Sequence, residues 1–472
     1  MISALTTDLY QLTMAAGYWR ANHVCPATFE LFVRRLPPRR SFLVTAGLDQ
    51  ALDYLEQLRF TDEERTWLRE RPQFLNVPGE FFDEYLRSFR FTGDVWAMPE
   101  GTPVFATEPM LRVTAPLPEA QLVETALLAI VSFQTSVASK AARIVHAAKE
   151  RPVVEFGARR AHGVDSAIAA ARASFIGGCQ GTSLVEAARR FGLPVSGTMA
   201  HSWVQAFPSE LEAFTEFSRS FSESAVYLLD TYDTVAAARS LVASGLQPRM
   251  VRLDSGDVDA LSREVRRILD EGGLRSTKIF VTGDLDEHRI AALVDAGAPV
   301  DGFGVGTALS TVSDAPALSA VYKLVEIHGA RDHEATGVVK LSPGKETWPG
   351  RKEVWRFMRS GRAVGDLIAA ADEPAPDGAV ALLKPAMRAG RRLIPSMPLP
   401  EVCADCRRSI DTLPGELRAL DARNDIYPVR ISDRLEEART VISRQSSVGQ
   451  SESSVRQLKS SVQSESTSRT DD

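Results

Sequence analysis

The apolar residues change rhythm near residue 150. Before that point helical and strand-like text are mixed. Leu5–Arg20 places apolar residues at helical spacing, and Thr28–Val33 and Phe42–Ala46 read as short strands. Leu48–Leu58 and Pro118–Lys149 predict helices, the second opening with Pro and Glu in its first turn. Gly93–Thr114 reads as short strands broken by Gly and Pro.

From residue 152 the pattern becomes regular. Apolar, β-branched runs recur at Val153–Phe156, Pro194–Gly197, Ala225–Leu229, Met250–Leu253, Lys278–Val281 and Val300–Phe303. Helical stretches lie between them at Val164–Ala173, Ser183–Phe191, Val235–Ala243, Asp257–Asp270 and Asp286–Ala296. Strands alternating with helices at intervals of roughly 20–40 residues predict βα units and a parallel sheet, an α/β class. So many units favour a TIM-like barrel over an open doubly wound sheet. Strand-like text resumes at Tyr322–Ile327, followed by a basic loop, GRKEVWR, at 350–356. Residues 372–400, rich in Pro, Gly and Ala, read as a linker or peripheral subdomain. The expected layout is an N-terminal α+β domain over 1–150, partly shared with a C-terminal segment, and a barrel core over 151–330. A segment over 331–440 would complete the barrel or form a small extension. The stretch 441–472 is a Ser-rich tail expected to be disordered, since residues 443–472 hold eleven serines and no aromatic.

The chain has 472 residues, enough for two or three structural units, and 44% of them are hydrophobic, which excludes a wholly disordered chain. Its net charge of −6 gives no whole-molecule attraction for nucleic acid. Four cysteines argue against a disulfide-stapled domain; Cys25 and Cys179 are isolated, and Cys403 and Cys406 form half a zinc site at most. The N-terminus has no basic start with a long apolar run, and no stretch nears the roughly eighteen apolar residues of a membrane span. A cytoplasmic protein with no membrane partner is expected.

The informative residues stand just past each strand. The runs end in Phe156-Gly157-Ala158-Arg159-Arg160, in Met199-Ala200-His201-Ser202, and in Asp230-Thr231-Tyr232-Asp233. The later ones end in Asp254-Ser255-Gly256-Asp257, Thr282-Gly283-Asp284 and Gly304-Val305-Gly306-Thr307. In parallel βα folds these loops converge on one rim, where ligands bind. A lone His is usually structural, and His146, His162, His288, His328 and His333 are read so. His201, in a turn just past a strand, is the functional candidate. Asp230 and Asp254 could be helix N-caps, but capping leaves Arg252 unexplained on an otherwise apolar strand. A buried Arg needs an anion, either Asp254 itself or, as we weigh it, a ligand. Gly304, Gly306 and Thr307 form an ordinary tight turn or a phosphate cradle of bare N–H groups. Arg159, Arg160 and the 350–356 loop could equally be solvated charge. The chemistry assembled is anion recognition, sugar-hydroxyl recognition by carboxylates, and one positioned imidazole. No Walker loop, GxSxG elbow, HExxH or dinucleotide GxGxxG motif is present.

TDLYQLTMAAGYW at 7–19, FELFVRRLP at 29–37, EFGARRAHG at 155–163, GTSLVEA at 181–187 and GTMAHSW at 197–203 together resemble nicotinate phosphoribosyltransferase. LLDTYDT at 228–234, VRLDSGD at 251–257 and GFGVGTAL at 302–309 extend the resemblance, which covers roughly residues 5–435 in order. It implies an incomplete α/β barrel with an N-terminal domain, working as a homodimer with shared active sites. It implies condensation of nicotinate with phosphoribosyl pyrophosphate (PRPP) to nicotinate mononucleotide and pyrophosphate, the entry to NAD salvage by the Preiss–Handler route. ATP, with Mg²⁺, would be hydrolysed through a phosphorylated histidine, matched by His201. Phe156, Arg159 and Arg252 resemble the residues facing nicotinate, and Asp230 and Asp254 the ribose-hydroxyl ligands. Tyr10, beside Asp8, resembles a residue supplied by the partner subunit. Gly283, Asp284, Gly304, Gly306 and Thr307 resemble the 5′-phosphate cradle. The four-cysteine zinc knuckle of some relatives is not matched.

Ser183 stands where the resembling nicotinamide enzymes carry Asp. An Asp accepts from an amide NH₂ and repels a carboxylate, whereas a Ser can donate to one, so the acid is the expected substrate. The alternatives are a nicotinamide or a quinolinate phosphoribosyltransferase, the latter needing neither ATP nor a phosphorylated His. A catalytically dead barrel serving as a binding module is less favoured, and a metal-dependent hydrolase less still.

Overall fold

The computed structural model describes residues 2–222, 224–329, 334–423 and 426–444. The tail from 445 onward and His333 lie outside them. The chain folds as mixed α/β, with two large hydrophobic cores.

The first core is built on a seven-stranded sheet. Its order is 335–337, 320–328, 26–33, 109–116, 94–97, 384–388, 391–392, and its strands pair antiparallel throughout. The strand Pro26–Val33 lies mid-sheet and is buried at all positions but the first, so it reads as an unbroken run rather than as alternation. The helix Leu9–Arg20 packs beside this sheet on Leu117–Leu122.

The second core surrounds a parallel sheet. Its order is 153–155, 302–305, 278–281, 250–253, 226–228. Single parallel bridges from Glu155 to Thr182 and from Thr182 to Val195 add two positions at the other edge. Helices come after the strands, among them Val164–Ile176, Thr234–Ser244, Val258–Glu271 and Glu287–Asp295. The helix Glu124–Ala148 joins the cores: Ala126, Leu127 and Val131 sit in the first, and Val137, Ala138, Ala141 and Ile144 in the second.

Four expectations are corrected. Residues 350–356 are not a basic loop: Lys352–Arg359 is a strand with Lys352 and Arg356 buried. Their charges are met by residues the local text does not show. Lys352 Nζ pairs with Glu30 Oε2 at 2.8 Å, and Arg356 Nη2 with Asp366 Oδ2 at 2.6 Å. Residues 372–400 are not a linker, since 384–388 pairs with 94–97 and buries Ala386 and Met387. The pairing register shifts between Pro385 and Met387, beside the residue that cannot donate to a ladder. Pro194–Gly197 forms no strand; only Val195 bridges. Pro118–Lys149 is two helices, Leu117–Leu122 and Glu124–Ala148, that meet at Val123.

Candidate active site

Helix capping, the competing role for Asp230 and Asp254, falls to other residues. Asp233 caps Thr234–Ser244 through Ala236 N at 2.8 Å, and Asp257 caps Val258–Glu271 through Ala260 N at 3.2 Å. Asp230 and Asp254 are left at the strand ends with different partners. Asp230 Oδ2 accepts from Asp254 N at 3.0 Å and from Ser255 Oγ at 2.5 Å. Its Oδ1 is buried and has no hydrogen-bond partner, an expense that native structures rarely leave unexplained.

Arg252 is 12% exposed in its side chain, and its guanidinium fork is filled from three loops. Nη2 donates to Asp254 Oδ1 at 2.7 Å, Nε to Thr282 Oγ1 at 2.9 Å, and Nη1 to Thr198 Oγ1 at 2.8 Å. Within the protein, the anion beside Arg252 is Asp254. His201 opens the helix His201–Gln205, with Nε2 3.6 Å from Asp254 Oδ2 and Nδ1 3.2 Å from Thr231 Oγ1. Burial alone would raise the Asp254 carboxyl. Thr282, Arg252 and His201 outweigh it and hold the group below its ordinary value.

Thr198 and Arg252 join opposite ends of the parallel array, because Thr198 comes after the Val195 bridge and Arg252 lies next to the other edge. From Arg252 the contacts continue through Thr282 to Gly304, where an added Cβ would lie 2.7 Å from the Thr282 methyl and 2.8 Å from the Phe156 ring. Gly304 is thus buried inside the strand Gly302–Val305, making room for Phe156; the open part of that turn is Gly306–Thr307. Gly283, at φ +88°, passes against the carbonyl of Asp254, and Asp284 comes next at φ +45°. Phe156 leads into the exposed Arg159 and Arg160. Glu155 ties that loop to the next: it accepts from Gly157 N and from Thr182 Oγ1 (2.6 Å), and its backbone oxygen accepts from Ser183 N at 3.0 Å. Burial pushes the Glu155 carboxyl up. Ser183 is exposed.

Asp8 and Tyr10 stand in a separate cluster. Thr125 Oγ1 donates to Asp8 Oδ2 at 2.7 Å, and Tyr10 Oη to Glu124 Oε2 at 3.3 Å, with the Tyr10 side half exposed. Sequence reasoning assigned no role to Thr198, Thr231, Thr282 or Glu155. The signal available was that Thr198, Thr231 and Thr282 each stand within two places of the end of an apolar run, with Glu155 inside another. Among the described residues no group of three or more His, Cys, Asp or Glu side chains is placed to hold a metal ion, Cys403 and Cys406 included. No described helix is long and apolar enough to cross a membrane.

Comparison with known proteins identifies a family. Residues 5–132 match the nicotinate phosphoribosyltransferase N-terminal domain and residues 152–352 the nicotinate phosphoribosyltransferase family. The nicotinate phosphoribosyltransferase pncB2 of Mycobacterium tuberculosis (strain ATCC 25618 / H37Rv) is 46% identical over 444 residues, 92% of each chain. The nicotinate phosphoribosyltransferase of Bacillus subtilis (strain 168) is 46% identical over 386 residues, 79% of this chain and 77% of its own. The crystal structure of human nicotinic acid phosphoribosyltransferase superposes with a TM-score of 0.80 at 30% identity, over 92% of this chain and 99% of its own. The nicotinate-nucleotide pyrophosphorylase of Pyrococcus furiosus does so with a TM-score of 0.70 at 28% identity, over 87% and 95%. With both its N-terminal and its core segments matched, and its strand-end polar residues gathered into one network, this chain belongs to the nicotinate phosphoribosyltransferase family.

Proposed function

We propose that this protein condenses nicotinate with PRPP to nicotinate mononucleotide and pyrophosphate, coupled to ATP hydrolysis through a phosphorylated His201. The observation that carries this is the network of His201, Asp230, Arg252 and Asp254, drawn from separate loops past parallel strands. We read the parallel core as an incomplete barrel and propose the layout 1–150, 151–330 and 331–440, with the strand 320–328 lent to the N-terminal sheet. The working unit is a cytoplasmic homodimer in which Tyr10 and Asp8 serve the partner's site.

Breaking the C1–O bond of PRPP builds positive charge on the sugar and negative charge on the leaving pyrophosphate. Phe156 stacks on the pyridine ring and Arg159 takes its carboxylate, so that the ring nitrogen lies in line with C1. Ser183 favours the acid over the amide. Asp230 and Asp254 accept from the ribose hydroxyls, while Gly283, Asp284, Gly306 and Thr307 hold the 5′-phosphate, with Gly304 behind them. The donor set suits Mg²⁺, a hard cation commonly held by one or two carboxylates plus substrate phosphates. The orphaned Asp230 Oδ1, together with substrate phosphates, would hold the ion, whose charge would neutralise the pyrophosphate. His201 takes the γ-phosphoryl of ATP as the β–γ P–O bond breaks and ADP leaves, which tightens the site for PRPP; water then cleaves the phosphohistidine to imidazole and inorganic phosphate and resets the affinity.

The test is nucleotide formation by the wild-type protein from nicotinate or nicotinamide with PRPP and Mg²⁺, with and without ATP. The expected result is turnover of nicotinate, stimulated by ATP. His201→Ala should keep slow transfer and lose the stimulation. A His201→Ala rate that still rises with ATP removes His201 from that role. A preference for nicotinamide overturns the part given to Ser183.

A further inference from the structure

We propose that Thr282 is a positioning residue that decides which oxygen of Asp254 faces the sugar. Its role rests on the transferase reading of this site. Thr282 comes directly after the strand Lys278–Val281 and is buried, and its backbone N–H donates to Leu253 O at 2.9 Å. Its methyl lies where a side chain on Gly304 would stand, so the hydroxyl turns to the opposite side. There it accepts from Arg252 Nε at 2.9 Å and donates its single proton to Asp254 Oδ1.

That proton has a consequence for Asp254. Oδ1 is taken by both Thr282 and Arg252 Nη2, which leaves Oδ2 on the His201 side. The terminal torsion of an aspartate is broad and roughly two-fold, so the chain alone does not hold this orientation. Without the Thr282 hydroxyl, Arg252 is free to take both carboxylate oxygens in a bidentate pair, the stronger arrangement for a guanidinium. Oδ2 would then be withdrawn from the cleft. Thr282 thus keeps a part-buried ion pair monodentate so that half of its carboxylate stays available to substrate.

The test compares Thr282→Ser with Thr282→Ala in the full-length protein, since both lose the methyl and only Ser keeps the hydroxyl. Thr282→Ala should lose about 10- to 100-fold in kcat/KM for PRPP, the scale of a misplaced catalytic contact. The KM for nicotinate should stay within about twofold, and Thr282→Ser should remain close to wild type. Calorimetric binding of PRPP supplies the same comparison if turnover is absent. Thr282→Ala at wild-type efficiency, Thr282→Ser as impaired as Thr282→Ala, or an equal loss in the KM for nicotinate would each overturn the proposal. An active wild type with a fully active Thr282→Ala counts against Thr282 alone, whereas a wild type that neither turns over nor binds PRPP overturns the transferase reading with it.

Discussion

Gly283 has φ +88°, and a Cβ there would run into the carbonyl oxygen of Asp254. An L residue at that position is strained by roughly 1–2 kcal/mol and must also push Asp254 aside. Gly283→Ala is therefore expected to lower kcat/KM by about 100-fold with secondary structure retained by circular dichroism. The identity of such residues was readable in the sequence, because Asp, Arg and Gly just past apolar runs are visible one at a time. Their partners were not. Within the protein Arg252 holds Asp254, Thr198 and Thr282, two of them about 30 or more residues away in sequence. A threonine after a strand carries no charge and draws no notice until a fold sets it beside one.

At the scale of elements, periodicity located the βα units, and their carboxylates divide into two classes. Asp233, Asp257 and Asp286 accept from helix N–H groups, whereas Asp230 and Asp254 do not. Asp257→Ala should cost about 1 kcal/mol of stability, read as a lower Tm, with kcat preserved. Asp254→Ala should do the reverse. The elements that escaped the sequence were those whose pattern conflicts with their burial. Lys352–Arg359 looked solvated because its cations meet Glu30 and Asp366 inside the protein. Lys384–Arg388 looked like a linker because Pro385 interrupts its text, although the pairing simply shifts there.

Over the whole molecule, the helix Glu124–Ala148 and the parallel core are joined by a charge network, buried except at Asp314. Lys140 Nζ reaches Asp314 Oδ1 at 2.9 Å and Glu287 Oε2 at 2.5 Å; Arg143 Nε meets Glu287 Oε1 at 3.0 Å, and Arg40 Nη1 meets Asp314 Oδ2 at 2.8 Å. Burial would raise both carboxyls, but Lys140 and Arg143 hold Glu287, and Arg40 and Lys140 hold Asp314, below their ordinary values. A carboxyl depressed in the folded state lends stability above its unfolded pKa of about 4 and loses it as pH falls through the lower folded value. Tm should therefore stay level from neutral pH to about 5 and drop progressively below about 4, and Glu287→Gln should flatten that drop.

The strand 94–97 receives its neighbour from 384–388, almost three hundred residues later in the chain. During synthesis the ribosome must deliver nearly the entire parallel core before that edge is covered. Until then a row of unpaired amides and carbonyls stands open to any passing strand. A nascent chain of this protein has its greatest need of chaperone protection while the core is already being made, and the last closure of the N-terminal sheet is a late event in its biogenesis.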